Sequence, residues 1–271
     1  MFKVLTLEDM PLIIKFLRVA NKLSEDTVKM IQDQIHTNMI ITAKVEKEIS
    51  SMIIINLINN NYYVSNFIGV ENTIDDLKEL IGFTVEVITH DARGLNIIYD
   101  NFPYSEIMNE VFTSNGFKFN YLNMLKEAIP NQVYRTKYNL VLNDKNEDVR
   151  EYIFSHHVET LKSFNEYMGV SSVSLPNIED IHLDNINIVV ARGKDNRVLG
   201  VARFSLITDS IYINSLYAED REIYIDLIHL IANLTNRRLE IGLYPIRKEL
   251  IVILKELGFV VNNADYFYKI N

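Results

Sequence analysis

One order of elements is written twice in this 271-residue chain, and that repetition constrains the fold more than any single motif. The first half reads strand ("FKVLTL"), helix ("LEDMPLIIKFLRVANK"), helix ("SEDTVKMIQDQI", with Ser24 as N-cap), then three strands within "MIITAKVEKEISSMIIINLINNNYYVSNFIGV". The polar steps Glu46–Ser50 and Asn59–Asn61 separate those strands. A helix of good period ("TIDDLKELIGFTVEVITH"), a strand ("LNIIYD"), a helix ending at Gly116 and a strand ("FKFNYLNMLKE") close the half. The second half repeats the order: strand ("YNLVLND"), helix ("EDVREYIFSHHVETLKSF"), short helix ("LPNIEDIHL"), three strands with turns at Gly193–Asn196 and Thr208–Ser210, the last running into a helix within "SLYAEDREIYIDLIHLIANL", strand ("RLEIGLY"), helix ending at Gly258, strand ("YFYKI"). Gly116 falls on Gly258 at an offset of 142 (258 − 116), and "LNIIYD" on "LEIGLY" at 144 (239 − 95). Almost no side chains are identical between the copies, so the shared order is the signal. The join lies near "EAIPNQVYR", where Pro130 interrupts the pattern, giving two domains, 1–130 and 131–271. Runs of antiparallel strands closed by helix–strand–helix–strand predict a mixed α/β sheet flanked by helices in each.

Composition narrows the partners. A formal charge of −9 excludes a broad electrostatic grip on nucleic acid. The chain has no cysteine, which removes disulfides, thiol nucleophiles and cysteine-ligated metals, and fits a cytoplasmic protein. No apolar run approaches the ~18 residues of a membrane helix. Glu8, Asp9 and Pro11 break the apolar start, so it does not read as a signal peptide.

The element order resembles the GNAT acetyltransferase superfamily in a tandem arrangement covering nearly the whole chain. "LTLEDMPLIIKFL" is similar to that family's first strand and helix, "NRVLGVARFSLITDSIYINSLYAED" to its third and fourth strands, and "ELGF" to the end of its last helix. The resemblance implies a cleft where the fourth and fifth strands splay apart to admit the pantetheine arm of acetyl-CoA. It also implies transfer of an acetyl group to an amine on a small molecule or peptide.

The family's phosphate loop, Q/R-x-x-G-x-G/A, lies between the fourth strand and the next helix, where glycines and a helix N-terminus cradle the pyrophosphate. Here that stretch is "YAEDREIYID". Arg221 matches the leading Arg, but Tyr224 and Asp226 fill the glycine positions. In the first half the stretch is "GVENTIDDLKE", with Gly69 too early and Asp75 and Asp76 at the helix start. Carboxylates there favour the helix by ~0.3–1 kcal/mol. One unit charge at ~5 Å repels a phosphate by roughly 3 kcal/mol at an effective dielectric of about 20. The Tyr four residues before the family's glycine, a proton donor to the departing thiolate, is replaced by Phe112 and Leu254. The Asn seven residues earlier is replaced by Ser105 and Arg247.

The resemblance therefore yields candidates by position. Leu216, Tyr217 and Ala218 offer backbone to pantetheine, and Arg221 offers charge to the cofactor. Tyr244 and Tyr104 are the available proton donors. Tyr212 and Tyr217, five apart on one strand, are expected on opposite faces, with Tyr217 toward the cleft. His156 and His157 point ~100° apart on a helix and read as solvated residues rather than a metal pair. His229, Glu222, Asp226 and Asn233 form the polar stripe of their helix. Two functions remain open. One is a divergent N-acetyltransferase using acetyl-CoA, with its site in the C-terminal domain. The other is a non-catalytic GNAT-fold module that binds a ligand or protein through the old cleft.

Overall fold

The computed structural model describes residues 1–35, 37–69, 74–91, 93–94, 96–127, 136–170, 175–234 and 237–270. Three sequence expectations touch positions outside these: the join around Pro130, Leu95 of "LNIIYD", and residues 70–73 ahead of the first-half helix. Among the described residues the elements follow the expected order. The first half holds β1 (Phe2–Val4), α1 (Met10–Val19), α2 (Glu25–Gln34), β2 (Met39–Val45), β3 (Ile49–Ile58), β4 (Asn61–Gly69), α3 (Ile74–Asp91), β5 (Asn96–Pro103), α4 (Glu106–Ser114) and β6 (Lys118–Lys126). The second holds β7 (Asn139–Leu142), α5 (Glu147–Met168), β8 (Asn187–Arg192), β9 (Val198–Leu206), β10 (Ser210–Ala218), α6 (Arg221–Leu234), β11 (Arg238–Leu243), α7 (Lys248–Glu256) and β12 (Val260–Lys269). The helix expected from Leu7 starts as a 3-10 turn, Leu7–Asp9, because the Asp9 carboxylate accepts the Thr6 N–H at 3.0 Å and closes a separate cap. Ser24 caps α2 by accepting the Thr27 N–H at 3.1 Å.

Packing divides the chain into two compact units, Met1–Phe119 with Ala264–Asn271, and Asn120–Asn263. The strand order is β1-β2-β3-β4-β5-β12 in the first and β6-β11-β10-β9-β8-β7 in the second. Each sequence half thus gives most of its last strand to the other half's unit, so the packed units differ from the halves 1–130 and 131–271 by this exchange. Side-chain burial accounts for it. Met124 of β6 is fully buried in the second unit's core with Ile213, Ile241 and Leu254. Tyr266 of β12 stacks on Phe112 in the first, ring centroids 4.3 Å apart. Burying a side chain of that size is worth ~1.5–3 kcal/mol, so each strand follows the core that accepts its alternate residues.

The duplication is visible in detail. Both last helices end in one motif: the Phe117 N–H donates to Phe112 O at 3.2 Å, and the Phe259 N–H to Leu254 O at 2.9 Å. Gly116 (φ 84°) and Gly258 (φ 87°) make those turns in the left-handed region. In each unit one strand pair is parallel and short. β4 and β5 pair from Asn61↔Asn96 to Tyr63↔Ile98, and β10 and β11 from Ser210↔Arg238 to Ile213↔Ile241. A β-bulge stands just past each stop, at Ser65 on β4 and at Asn214 on β10.

Candidate functional site in the second unit

The site is built by the end of one strand pair. Past Ile213↔Ile241, β10 and β11 no longer match residue for residue. The bulge at Asn214 adds one residue to β10 relative to β9, which bends the strand and changes which side chains share a face. Tyr212 lies opposite Ser205 and Tyr217 opposite Val201, four residues apart on β9. The two tyrosines are therefore on the same face, not on opposite ones; simple alternation fails because it does not see the extra residue.

Beside the separated strands is a cavity of about 180 Å³, walled by β10, β11, α5 and Tyr121 of β6. Leu216, Tyr217 and Tyr244, three of the positions singled out from sequence, line it. Ala218 and Arg221 are not among its lining residues, and Tyr104 belongs to the first unit. His157, Arg203, Arg247 and Gly242 also line it, and none of them was assigned a role from sequence. Two signals pointed their way. Gly242 interrupts a strand, which marks close approach of another group. Arg203 stands in the apolar run "VARFSL".

Tyr217 is almost fully buried, and its hydroxyl is 3.2 Å from Nδ1 of His157. Burial and the nearby Arg203 cation lower the His157 pKa, so the imidazole is neutral at pH 7. Burial raises the pKa of Tyr217, against the opposing pull of Arg247, and burial also raises that of Tyr244. The Tyr244 ring stacks on Phe164 at 4.3 Å and meets Tyr121 edge-on at 5.8 Å. The cavity thus contains neutral hydrogen-bonding groups and two guanidiniums. His157 is part of this wall rather than a solvated helix residue. His156 is held separately: its Nδ1 lies 2.8 Å from Tyr152 O and its ring 4.1 Å from the Tyr152 ring.

Arg247, at the start of α7, reaches β10. Its Nη2 donates to the Leu216 carbonyl at 2.6 Å and to the Tyr224 hydroxyl at 3.1 Å, and its guanidinium lies 4.9 Å from the Tyr217 ring centre. The backbone oxygen that resemblance assigned to pantetheine therefore has an internal donor.

The start of α6 is likewise self-satisfied. Asp220 accepts the Ile223 N–H at 3.0 Å and the Tyr138 hydroxyl at 3.1 Å. Glu219 pairs with Arg197 at 2.9 Å, Glu222 with Lys137, and Arg221 with Glu256. The Ile223 N–H and the one matching arginine are committed to side chains of this chain. These residues do not fit the pyrophosphate of acetyl-CoA.

In the first unit Tyr99, Phe112 and Phe117 pack with α3 around a cavity of only about 10 Å³. Phe112 also stacks on Tyr266. Ser105 caps α4 by accepting the Met108 N–H at 3.1 Å. Tyr104 is half-buried, its ring centre 6.4 Å from that of Phe119.

The polar stripe expected on α6 is not uniformly wet. Asp226 is 8% exposed and accepts a hydrogen bond from the Thr136 hydroxyl. Burial pushes its pKa up to about 6. The folded protein therefore holds this proton more tightly than the unfolded chain. The associated stability is full below the unfolded pKa of 3.8 and is lost as pH rises through about 6. Asp226→Asn should add about 1–3 kcal/mol at pH 7.5 and little at pH 3.5. Urea unfolding of both proteins at the two pH values checks this. His229, on the same helix, has its pKa lowered by burial and then by Lys126.

Among the described residues no group of three or more His, Asp and Glu is placed to hold a metal, and no helix is long and apolar enough to cross a membrane. No protein-family model matches the sequence, and no curated protein matches it by sequence. Solved structures match the fold. A GCN5-related N-acetyltransferase from Sphaerobacter thermophilus is 8% identical over 100% of this chain and 96% of its own, with a TM-score of 0.45. A tandem GNAT protein from the clavulanic acid biosynthesis pathway is 9% identical over 100% of this chain and 98% of its own, TM-score 0.37. A probable N-acyltransferase from Enterococcus faecalis V583 is 7% identical over 100% of this chain and 72% of its own, TM-score 0.40. Both units show the element order on which the sequence resembles the GNAT superfamily. The strand orders, the two bulges and the two short parallel pairs show that the units repeat one architecture.

Proposed function

We propose that this protein is a GNAT-fold binding module that works through the cavity beside β10 and β11 of its second unit and has given up the pyrophosphate grip of an acetyltransferase. The halves 1–130 and 131–271 are then the duplicated domains, the first retained for structure. The observation that carries the reading is the internal saturation of the cofactor positions. Asp220 caps α6, Arg221 pairs with Glu256, and Arg247 holds the Leu216 carbonyl. A ligand using those groups must first break bonds the chain already makes. Thermal unfolding with acetyl-CoA at about 1 mM tests it. A specific ligand at 100 times its Kd adds about 2.7 kcal/mol of stability, whereas no rise in Tm is expected here. A saturable rise overturns the reading.

A second reading is favoured by one feature, the retained opening past Ile213↔Ile241 with its bulge. It is a divergent N-acetyltransferase, using acetyl-CoA and a small-molecule or peptide amine, with its site in the second unit. On that reading Arg247→Ala, which frees the Leu216 carbonyl, raises acetyl-CoA affinity. On the binding-module reading the substitution leaves it undetectable, because the acids at α6 are unchanged.

A further inference from the structure

Most of the arginines described in the second unit meet a carboxylate; Arg203, Arg237 and Arg247 do not, and Arg237 stands outside the cavity and donates to the Ile207 carbonyl. Arg192 pairs with Asp144 and Asp148, Arg197 with Glu219, Arg221 with Glu256, and Arg238 with Glu240. Arg203 and Arg247 have no carboxylate partner among the described residues, and both line the same cavity. Both act electrostatically on the Tyr217 hydroxyl, against the effect of its burial.

Neither arginine has its donors filled. Arg203 gives Nη2 to the His182 carbonyl at 3.0 Å, while its Nε is buried without a hydrogen-bond partner among the described residues. The hydrogen bonds of Arg247 all come from Nη2. A guanidinium carries five N–H donors in a planar fork. A half-buried cation without a counter-charge is costly, and two in one cavity also repel each other. In a chain with a net charge of −9, acids for pairing were plentiful, yet no Asp or Glu lines this cavity among the described residues.

We propose that the cavity is the binding site of a small organic carboxylate, whose anionic end is received by Arg203 and Arg247. This rests on the binding-module reading above and names its ligand class. The remaining walls suit such a molecule. Tyr217 and Tyr244 stay protonated and donate hydrogen bonds, neutral His157 adds a further polar contact, and Tyr121 and Ile153 offer apolar surface to a ring or short chain. The volume of about 180 Å³ is far above the ~10–15 Å³ that one water needs. It has room for a compact acid. The chain as a whole is acidic, but the local field at the cavity favours an anion and is the one a ligand meets after entry.

Calorimetry and thermal unfolding of the full chain test this, with sodium benzoate, inorganic phosphate and benzylamine as probes at matched ionic strength. Benzoate is expected to bind and raise Tm, and benzylamine is not. Each of Arg203→Gln and Arg247→Gln is expected to weaken benzoate about tenfold or more, the loss of one charge-assisted hydrogen bond. Where Arg203→Gln does not fold, Arg203→Lys keeps the charge, removes the fork, and is expected to bind at least several-fold more weakly than wild type. No benzoate binding at 20 mM, equal binding of benzylamine, phosphate binding without benzoate, or benzoate binding unchanged in the arginine variants each overturns the carboxylate assignment. The binding-module reading is scored separately, by acetyl-CoA. If acetyl-CoA binds, that reading fails whatever benzoate does. If neither acetyl-CoA nor benzoate binds, only the ligand class falls.

Discussion

Arg192→Met should destabilise the second unit by about 3–5 kcal/mol, the range for removing one partner of a buried ion pair. Arg192 ends β8, and its side chain is 4% exposed. Its Nε donates to Asp144 at 2.7 Å, and its Nη1 and Nη2 form a fork on Asp148 at 2.7 and 3.1 Å. Nη1 also donates to Asn196 O at 2.6 Å. Methionine matches the stem but leaves the carboxylate of Asp144, itself 7% exposed, buried without its cation. Asp148 is half-exposed and loses less. The three residues fasten the start of α5 to the sheet, and α5 carries Ile153 and His157 to the cavity wall. The loss should therefore reach ligand binding as well as stability.

The measurement is urea unfolding across pH. Arg192 holds the Asp148 carboxyl below its ordinary pKa of 3.8. That contribution is present above pH 3.8 and lost as pH falls through the lower, folded value. Arg192→Met should therefore show its full cost at pH 7 and a smaller one near pH 2.5. Adding Asp144→Asn to Arg192→Met should recover part of the stability by removing the stranded charge. A cost under 1 kcal/mol at pH 7 would show that water reaches Asp144 and that the network is a surface feature.

The parts of the fold that were legible in sequence are those written in local patterning. Apolar periods placed the strands and helices, Ser24 marked a cap, and Gly116 and Gly258 marked equivalent helix ends. The exchange of β6 and β12 was not legible, because an alternating strand such as "FNYLNMLK" satisfies either unit's core and nothing local says which. The bulge at Asn214 was not legible either, and it reverses the facing of Tyr217 relative to Tyr212. At the site, the anomaly at α6 was readable as misplaced charge, and the structure supplies a partner for each charge. The two arginines were harder to see. Arg203 and Arg247 are 44 positions apart (247 − 203), and only folding shows that neither meets an acid. Asp226 was placed on the wet stripe of α6 by period alone; the Thr136 hydroxyl, from a segment 90 residues away, covers it.

The same cavity supplies the second large effect, at Gly242. A Cβ built on this residue falls 2.0 Å from the Tyr121 hydroxyl and 2.4 Å from its Cζ, so no side chain fits while the ring keeps its place. Gly242 pairs with Asn123, and Tyr121 lies two residues along β6 on the same face, so its ring covers the glycine from across the strand pair. Tyr121 also shares a hydrogen bond with Tyr212, oxygen to oxygen 3.3 Å, and meets Tyr244 edge-on. Gly242→Val must move the ring or part β6 from β11, at about 3 kcal/mol, the upper part of the usual overpacking range. The way out for a displaced ring is the cavity it already lines, so benzoate binding should be lost even in preparations that remain folded. Tyr121→Ala separates the two effects. Combined with Gly242→Val it removes the obstructing ring, and the pair should be less destabilising than the sum of its members by at least 1 kcal/mol in a double-mutant cycle. Strict additivity, or full benzoate binding in Gly242→Val, would mean that Tyr121 does not stand over the glycine in solution. The close approach that makes this strand interior a place for glycine would then have to be sought elsewhere on β11.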